Sequence, residues 1–387
     1  MALHDSFNTE INQVLFEGNS CARKVVLNRP RKLNSLTFKM TSQMLKKLKE
    51  YEDDSSVTFV ILKGNGKAFC AGGDVVASYK YMTSGHWSIG AFIYRKQLLL
   101  NYLLATYKKP LVALIDGIVM GGGAGISMHA PYRIVTENTV FAMPEAAIGH
   151  FPDVGASRFL SRLRGYFGEY LGLTGAKING EEMVACGLAT HFVFSKDLQL
   201  LENALDEVAP SNTTAISQII SKFAHETYIK PDSACNRLQI INECFSRETV
   251  EDILLALEKQ FENGEEKWIV DAINSMKSAC PASLKVFLRL VREGRWLNFE
   301  QCLIREYTIF CHIKRRTVSN DFYEGIRAML LDKDKNPKWQ PSKLEQVTEE
   351  MVDRYFRNMD DDDWEPLKLP PRSSIIHIAP ASTKSKL

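Results

Sequence analysis

No stretch of this chain is apolar for long enough to cross a bilayer: the longest hydrophobic region, Leu98 to Ile115, is broken by Lys108, Lys109 and Pro110. An excess of charge of one sign is missing as well. Lys and Arg number 48 against 46 Asp and Glu, a formal balance of +2, which calls for neither a nucleic acid nor a membrane surface as partner. The eight cysteines contain no CxxC pair and no export leader stands before them, so free thiols in a reducing compartment are expected. The eight histidines form no HExxH or Cys/His cluster, and no metal site is expected. The N-terminus, MALHDSFNTEINQ, carries two acidic residues and no arginine before Arg23, unlike a mitochondrial presequence.

With 387 residues, 45% of them hydrophobic, the chain suffices for one large or two modest domains. Short runs rich in branched side chains predict strands at Val25–Leu27, Val57–Lys63, Leu111–Ile115, Arg133–Thr136, Val140–Ala142 and His191–Phe194. Helical spacing of Phe38, Met40, Met44, Leu45 and Leu48 follows Thr37, a suitable cap. Beyond residue 200 the pattern becomes mainly helical, with apolar residues at three and four spacing in Ala215–His225, Thr249–Phe261, Glu266–Ser278, Pro281–Glu293 and Phe299–His312. The fold class is therefore α/β followed by a mainly helical C-terminal region. A division follows: residues 1–200 as a core carrying the site, 201–345 as a helical region completing it, and 346–387 as a helix and a flexible tail. Asp360 to Asp363 and LPPRSS mark that tail as solvated and partly disordered. It ends in Ser385-Lys386-Leu387, the tripeptide read by the peroxisomal import receptor, so a peroxisomal location is expected.

The chemistry concentrates between GIVMGGGAG, which starts at Gly117, and FPDVG, where Glu145 and Asp153 lie eight residues apart. The Leu111–Ile115 strand runs into Gly117 and then Gly121, Gly122, Gly123 and Gly125, a turn into a helix start. Such a start presents unpaired N–H groups and a positive dipole end, and glycine lets a ligand oxygen approach them. Two amides aimed at a carbonyl oxygen that gains charge lower an acyl-transfer barrier by on the order of 3 kcal/mol per donor. Gly122 supplies one candidate amide. A second glycine loop, Lys67 to Asp74, supplies the other; Ala71 N–H is the candidate, with Gly72, Gly73 and Asp74 beside it. Taken singly, each loop reads equally well as a tight turn. Glu145, after Pro144, suits a nucleophile or a general base, and also a helix-start acid. Asp153, between Pro152 and Gly155, suits a partner acid, and also a turn acid.

KAFCAGGD at 67–74, KPLVALIDGIVMGGGAG at 109–125, FAMPEAAIGHFPDVGAS at 141–157 and FGEYLGLTGAKINGEEMVACGLATHFV at 167–193 together resemble the crotonase (enoyl-CoA hydratase/isomerase) superfamily. The late stretch DFYEGIRAMLLDKDKNPKWQP at 321–341 resembles its 3-hydroxyisobutyryl-CoA hydrolase branch, in particular peroxisomal plant-type members. The resemblance covers about residues 10 to 340. It implies a repeated ββα spiral, an acyl-CoA substrate with no separate cofactor, and thioester hydrolysis in valine breakdown. It also implies Glu145 as the group that forms a mixed anhydride, and Asp153 as the group that binds the substrate hydroxyl.

Related hydratases carry a second catalytic glutamate where this chain has Gly125, which favours hydrolysis over hydration. Gln97 stands where the branch has a glutamate, and His150 where an aliphatic residue is more frequent. Tyr323, Arg327 and Lys333 are implied to close the site. Lys67, Arg95, Lys96, Lys108 and Lys109 are basic groups suited to CoA phosphates. The superfamily's trimers and hexamers make a homo-oligomer a further expectation. Hydratase or isomerase activity, and a structural role in a mitochondrial ribosome, are the alternatives.

Overall fold

The structure, a computed structural model, describes residues 12–18, 21–209, 214–264, 266–362 and 364–372. Among the described residues, ten strands form two sheets. The larger joins β1 (Val14–Glu17), β2 (Ala22–Leu27), β3 (Phe59–Gly64), β5 (Leu111–Ile115), β7 (Tyr132–Val135) and β10 (His191–Phe192) in that spatial order. The smaller joins β4 (Ala68–Cys70), β6 (Ile118–Met120), β8 (Val140–Ala142) and β9 (Ile178–Asn179). Pairing is antiparallel between β1 and β2 and between β8 and β9, and parallel elsewhere. Three times the chain lays one strand in the large sheet and the next in the small one, at β3–β4, β5–β6 and β7–β8, before passing through helix. This is the ββα spiral that the resemblance implied.

The strands are apolar on both faces because each face meets a different core. Val60 and Leu62 of β3 join the main core, whereas Phe59 and Ile61 join a second one with Val112, Leu114 and Ile134. Alternation at period two divides a continuous apolar run between them. Leu201, Leu205, Ile216 and Ile220, on the helices Leu198–Asp206 and Thr214–Phe223, close the second core, so the sheet draws its cover from both sides of residue 200. The main core runs unbroken from Val14 to Leu367 and takes in Phe287, Tyr307 and Phe310 of the C-terminal helices.

Thr37 caps the Phe38–Asp53 helix as expected, accepting from Met40 N at 3.1 Å. Two short strands were not anticipated. β4 and β6 lie inside the stretches read as glycine turns, and that reading hid them. The expected solvated tail is also corrected over residues 364–372. Leu367 is 3% exposed, Arg95 pairs with Glu365, and Arg372 pairs with Glu52, so this segment lies against the body of the protein. Ser385, Lys386 and Leu387 lie outside the described residues.

Candidate active site

The two acids, the candidate amide loops and Gln97 all line one cavity of about 410 Å³: Ala71, Gly72, Gly73, Asp74, Gln97, Gly122, Glu145 and Asp153. The two sheets and the C-terminal helices meet there. Glu145 opens a short helical turn, Glu145–Ile148, immediately after β8 and Pro144. Its side chain is 8% exposed, and Oε2 is buried without a hydrogen-bond partner. Gly121, at φ 47°, backs it so closely that an added Cβ would sit 2.8 Å from Oε1. Burial first, and the charge of Asp153 second, hold the Glu145 carboxyl well above the usual carboxylate range.

The amide donors need a correction. Ala71 N–H is spent on the Leu33 carbonyl at 2.9 Å and has nothing to offer a ligand. Gly73 N–H stays outside the neighbouring bridge to Leu36, whose bonds run through Gly72 O and Asp74 N. It lies against the first residue of the Gly122–Ser127 helix, whose own N–H has no intrahelical partner. A Cβ added at Gly122 would come within 3.1 Å of Gly73 N. The neighbouring amides are therefore those of Gly73 and Gly122. Asp74 is corrected too: Oδ1 caps the Val75–Ser84 helix by accepting from Ala77 N at 3.1 Å, and Oδ2 pairs with Arg29 at 3.2 Å.

Asp153 begins a strained corner. Val154 has φ 57°, a left-handed conformation that a β-branched residue rarely adopts, and Gly155 follows at φ 94°. Three contacts hold the corner. Asn101 Nδ2 donates to Val154 O at 3.1 Å, Val154 N donates to the Tyr94 hydroxyl at 3.4 Å, and Gly155 N donates to Glu306 at 2.7 Å. Gln97 supports this frame, donating to Asn101 Oδ1 at 2.9 Å and accepting from Thr41 at 3.2 Å. Gly125 completes it, because a Cβ there would lie 2.6 Å from Val154 Cβ. In this chain the space beside position 125 is already filled by the loop that carries Asp153.

His150 lines the wall, as the sequence reading expected, but Tyr94, Phe310, Lys314 and Phe322, which line it as well, were missed. His150 Nε2 lies 3.3 Å from Asp153 Oδ2. Burial, reinforced by the nearby Lys314 charge and offset by Asp153, lowers the imidazole to about 4, so its ring is neutral at pH 7. Lys314 ends the wall from the Phe299–Arg315 helix at 2% exposure, and burial pulls its ammonium well below the usual lysine range. That helix was expected to stop at His312, and a basic residue in a last turn ordinarily answers the helix dipole. Packing alone turns Lys314 inward.

The late signature contributes by other residues than expected. Tyr323 donates to Lys314 O, Arg327 pairs with Glu324, Asp332 and Asp334, and Lys333 is exposed; it is Phe322, Met329 and Leu330 that reach the cavity. None of Lys67, Arg95, Lys96, Lys108 and Lys109 lines it.

The sequence profile described as enoyl-CoA hydratase/isomerase matches residues 22–356. A relative named 3-hydroxyisobutyryl-CoA hydrolase 1, from Arabidopsis thaliana, is 51% identical over 94% of this chain and 96% of its own length. Another from the same plant, small ribosomal subunit protein mS47, is 41% identical over 93% of this chain and 88% of its own. Among solved structures, a carnitinyl-CoA dehydratase from Mycobacterium thermoresistibile superposes with a TM-score of 0.83 at 34% identity, covering 92% of this chain and 98% of that one. A profile match over most of the chain, identities of this size and a shared spiral leave one conclusion: the chain belongs to the enoyl-CoA hydratase/isomerase family.

Proposed function

We propose that this protein hydrolyses an acyl-CoA thioester, with 3-hydroxyisobutyryl-CoA as substrate and 3-hydroxyisobutyrate and CoA as products. The observation that carries the reading is Glu145 Oε2, a buried carboxylate oxygen without a partner in the cavity that Asp153, Gly73 and Gly122 also line. A carboxylate oxygen held by no hydrogen bond keeps its lone pairs for the electrophilic carbon of an acyl group bound in the cavity. The name and 51% identity of the Arabidopsis hydrolase support the same substrate.

In this mechanism the thioester oxygen lies between the Gly73 and Gly122 amides, which take up its developing charge. Glu145 attacks the acyl carbon, the carbon–sulfur bond breaks, and the thiolate leaves and takes up a proton. Water then opens the mixed anhydride and restores the carboxylate. Used as a general base instead, Glu145 takes a proton from water, which attacks directly. Asp153 accepts from the substrate hydroxyl in either form. A carboxylate raised by burial is a stronger base and nucleophile than one in water. No step calls for a metal or a separate cofactor, and turnover is expected to survive dialysis against a chelator.

The test is release of free CoA from 3-hydroxyisobutyryl-CoA, lost in Glu145→Gln; unchanged turnover in that variant sinks the mechanism. Two relatives keep other readings open to measurement. The carnitinyl-CoA dehydratase likeness is answered by NMR of crotonyl-CoA products, and the ribosomal relative by co-sedimentation with ribosomes. A place in valine breakdown, a peroxisomal location read through Ser385, Lys386 and Leu387, and a homo-oligomer belong to the same proposal. A fluorescent fusion with a free C-terminus, with and without those three residues, tests the location. Light scattering tests the assembly.

A further inference from the structure

Lys314 is a buried basic side chain that the mechanism does not use. Its ammonium makes no hydrogen bond and no ion pair among the described residues. Nζ lies 2.8 Å from the centroid of the Phe322 ring and 4.4 Å from that of Phe310. Phe310 is stacked on Tyr94 at 3.8 Å, and His150 packs edge-on against both phenylalanines. The aromatic faces stabilise the charge but accept none of its N–H bonds, and an unpaired donor is costly where water is scarce. Asp153 lines the same cavity and its charge acts on Lys314, yet the two do not touch.

An acceptor carboxylate and a donor ammonium that face one cavity without meeting leave room for a group that is donor and acceptor at once. A hydroxyl is such a group. Its proton goes to Asp153 and its oxygen lone pair takes an N–H of Lys314. A methyl group satisfies neither, and a ketone satisfies only the lysine. A carboxylate there would add an unfavourable charge beside Glu145 and Asp153.

Resting on the hydrolase reading, we infer that Lys314 is the specificity-determining residue for a hydroxyl on the acyl chain, donating to its oxygen while Asp153 accepts its proton.

The experiment compares kcat/KM for 3-hydroxyisobutyryl-CoA with that for isobutyryl-CoA in the wild-type protein, in Lys314→Met and in Lys314→Gln. Methionine matches the stem of lysine and keeps the aromatic contact, while glutamine retains a donor. The wild-type ratio is expected to favour the hydroxylated ester by about 100-fold or more, because a site built around a hydroxyl rejects the analogue lacking it. In Lys314→Met the ratio falls by about tenfold or more, the size of one lost charged hydrogen bond, and in Lys314→Gln it recovers part of the way.

An unchanged ratio in Lys314→Met overturns the inference, as does an equal loss on both esters. Should that variant not fold, a wild-type ratio within about threefold of unity, less than one hydrogen bond provides, overturns it alone. Failure of the hydrolase reading looks different: neither ester releases CoA.

Discussion

Glu145 and Glu306 are the same residue in comparable burial, and burial lifts both carboxyls above their usual range, Glu306 to about 8. They differ in their partners. Glu306, on the C-terminal helix Phe299–Arg315, accepts from Gly155 N, Ser157 N and Ser157 Oγ. Glu145, at the edge of the spiral core, leaves Oε2 with none. One region uses a buried acid to fasten a loop, and the other holds a buried acid open toward a cavity. Burial and a raised pKa are common to both, so neither tells these two acids apart; their hydrogen bonds and their place at the cavity do.

The largest expected effect follows at the open acid. Glu145→Gln should lower kcat by about 10³-fold or more while the thermal midpoint holds or rises, since an unpaired buried carboxyl is removed. If activity fell with stability instead, Glu145 would join Glu306 as a structural acid.

Glu306→Gln should do the reverse. Its amide offers one acceptor where two oxygens served three donors, at a cost of about 2 to 4 kcal/mol in urea unfolding. The sign of the pH dependence adds a second reading. Because the folded pKa lies above the unfolded 4.5, the folded state holds the proton longer, and the Glu306 contribution is full below pH 4.5 and lost as pH rises to about 8. Denaturation between pH 4.5 and 8 should show a steeper fall for the wild-type protein than for the glutamine variant.

A smaller effect separates Asp153 from its neighbour. With its pKa near 4, His150 stays neutral from pH 5 to 8, so the pH–rate profile should carry no histidine limb near 6.5. His150→Leu should lower kcat/KM by roughly tenfold, one hydrogen bond to Asp153, and leave the profile's shape unchanged over that range. The smallest effect belongs to Asp74, which holds a helix start. Asp74→Ala should cost about 1 kcal/mol of stability, and Asp74→Asn, which keeps the cap, less.

Leu111–Ile115, Val140–Ala142 and Pro281–Glu293 were legible as elements and fall where the sequence placed them, whereas the spiral was implied by the family resemblance alone. β4 and β6 were not legible, because they lie inside glycine-rich loops that read as turns. The acids and glycine loops of the cavity were legible from motifs that carry both together; its aromatic wall and Lys314 were not. Which amide is free was not: Ala71 and Gly73 stand two positions apart, and only the Leu33 carbonyl, nearly forty residues earlier, decides between them.

The sequence alone determined the family, the two sheets' main strands and the pair Glu145 and Asp153, because local periodicity and close-set motifs survive without coordinates. Tertiary structure decided the rest: that Gly73 rather than Ala71 pairs with Gly122, that Asp74 is a cap, that Val154 is bent over Gly125, and that Lys314 turns inward. Each of these depends on which distant group a donor, acceptor or methyl meets, and linear spacing carries no record of that.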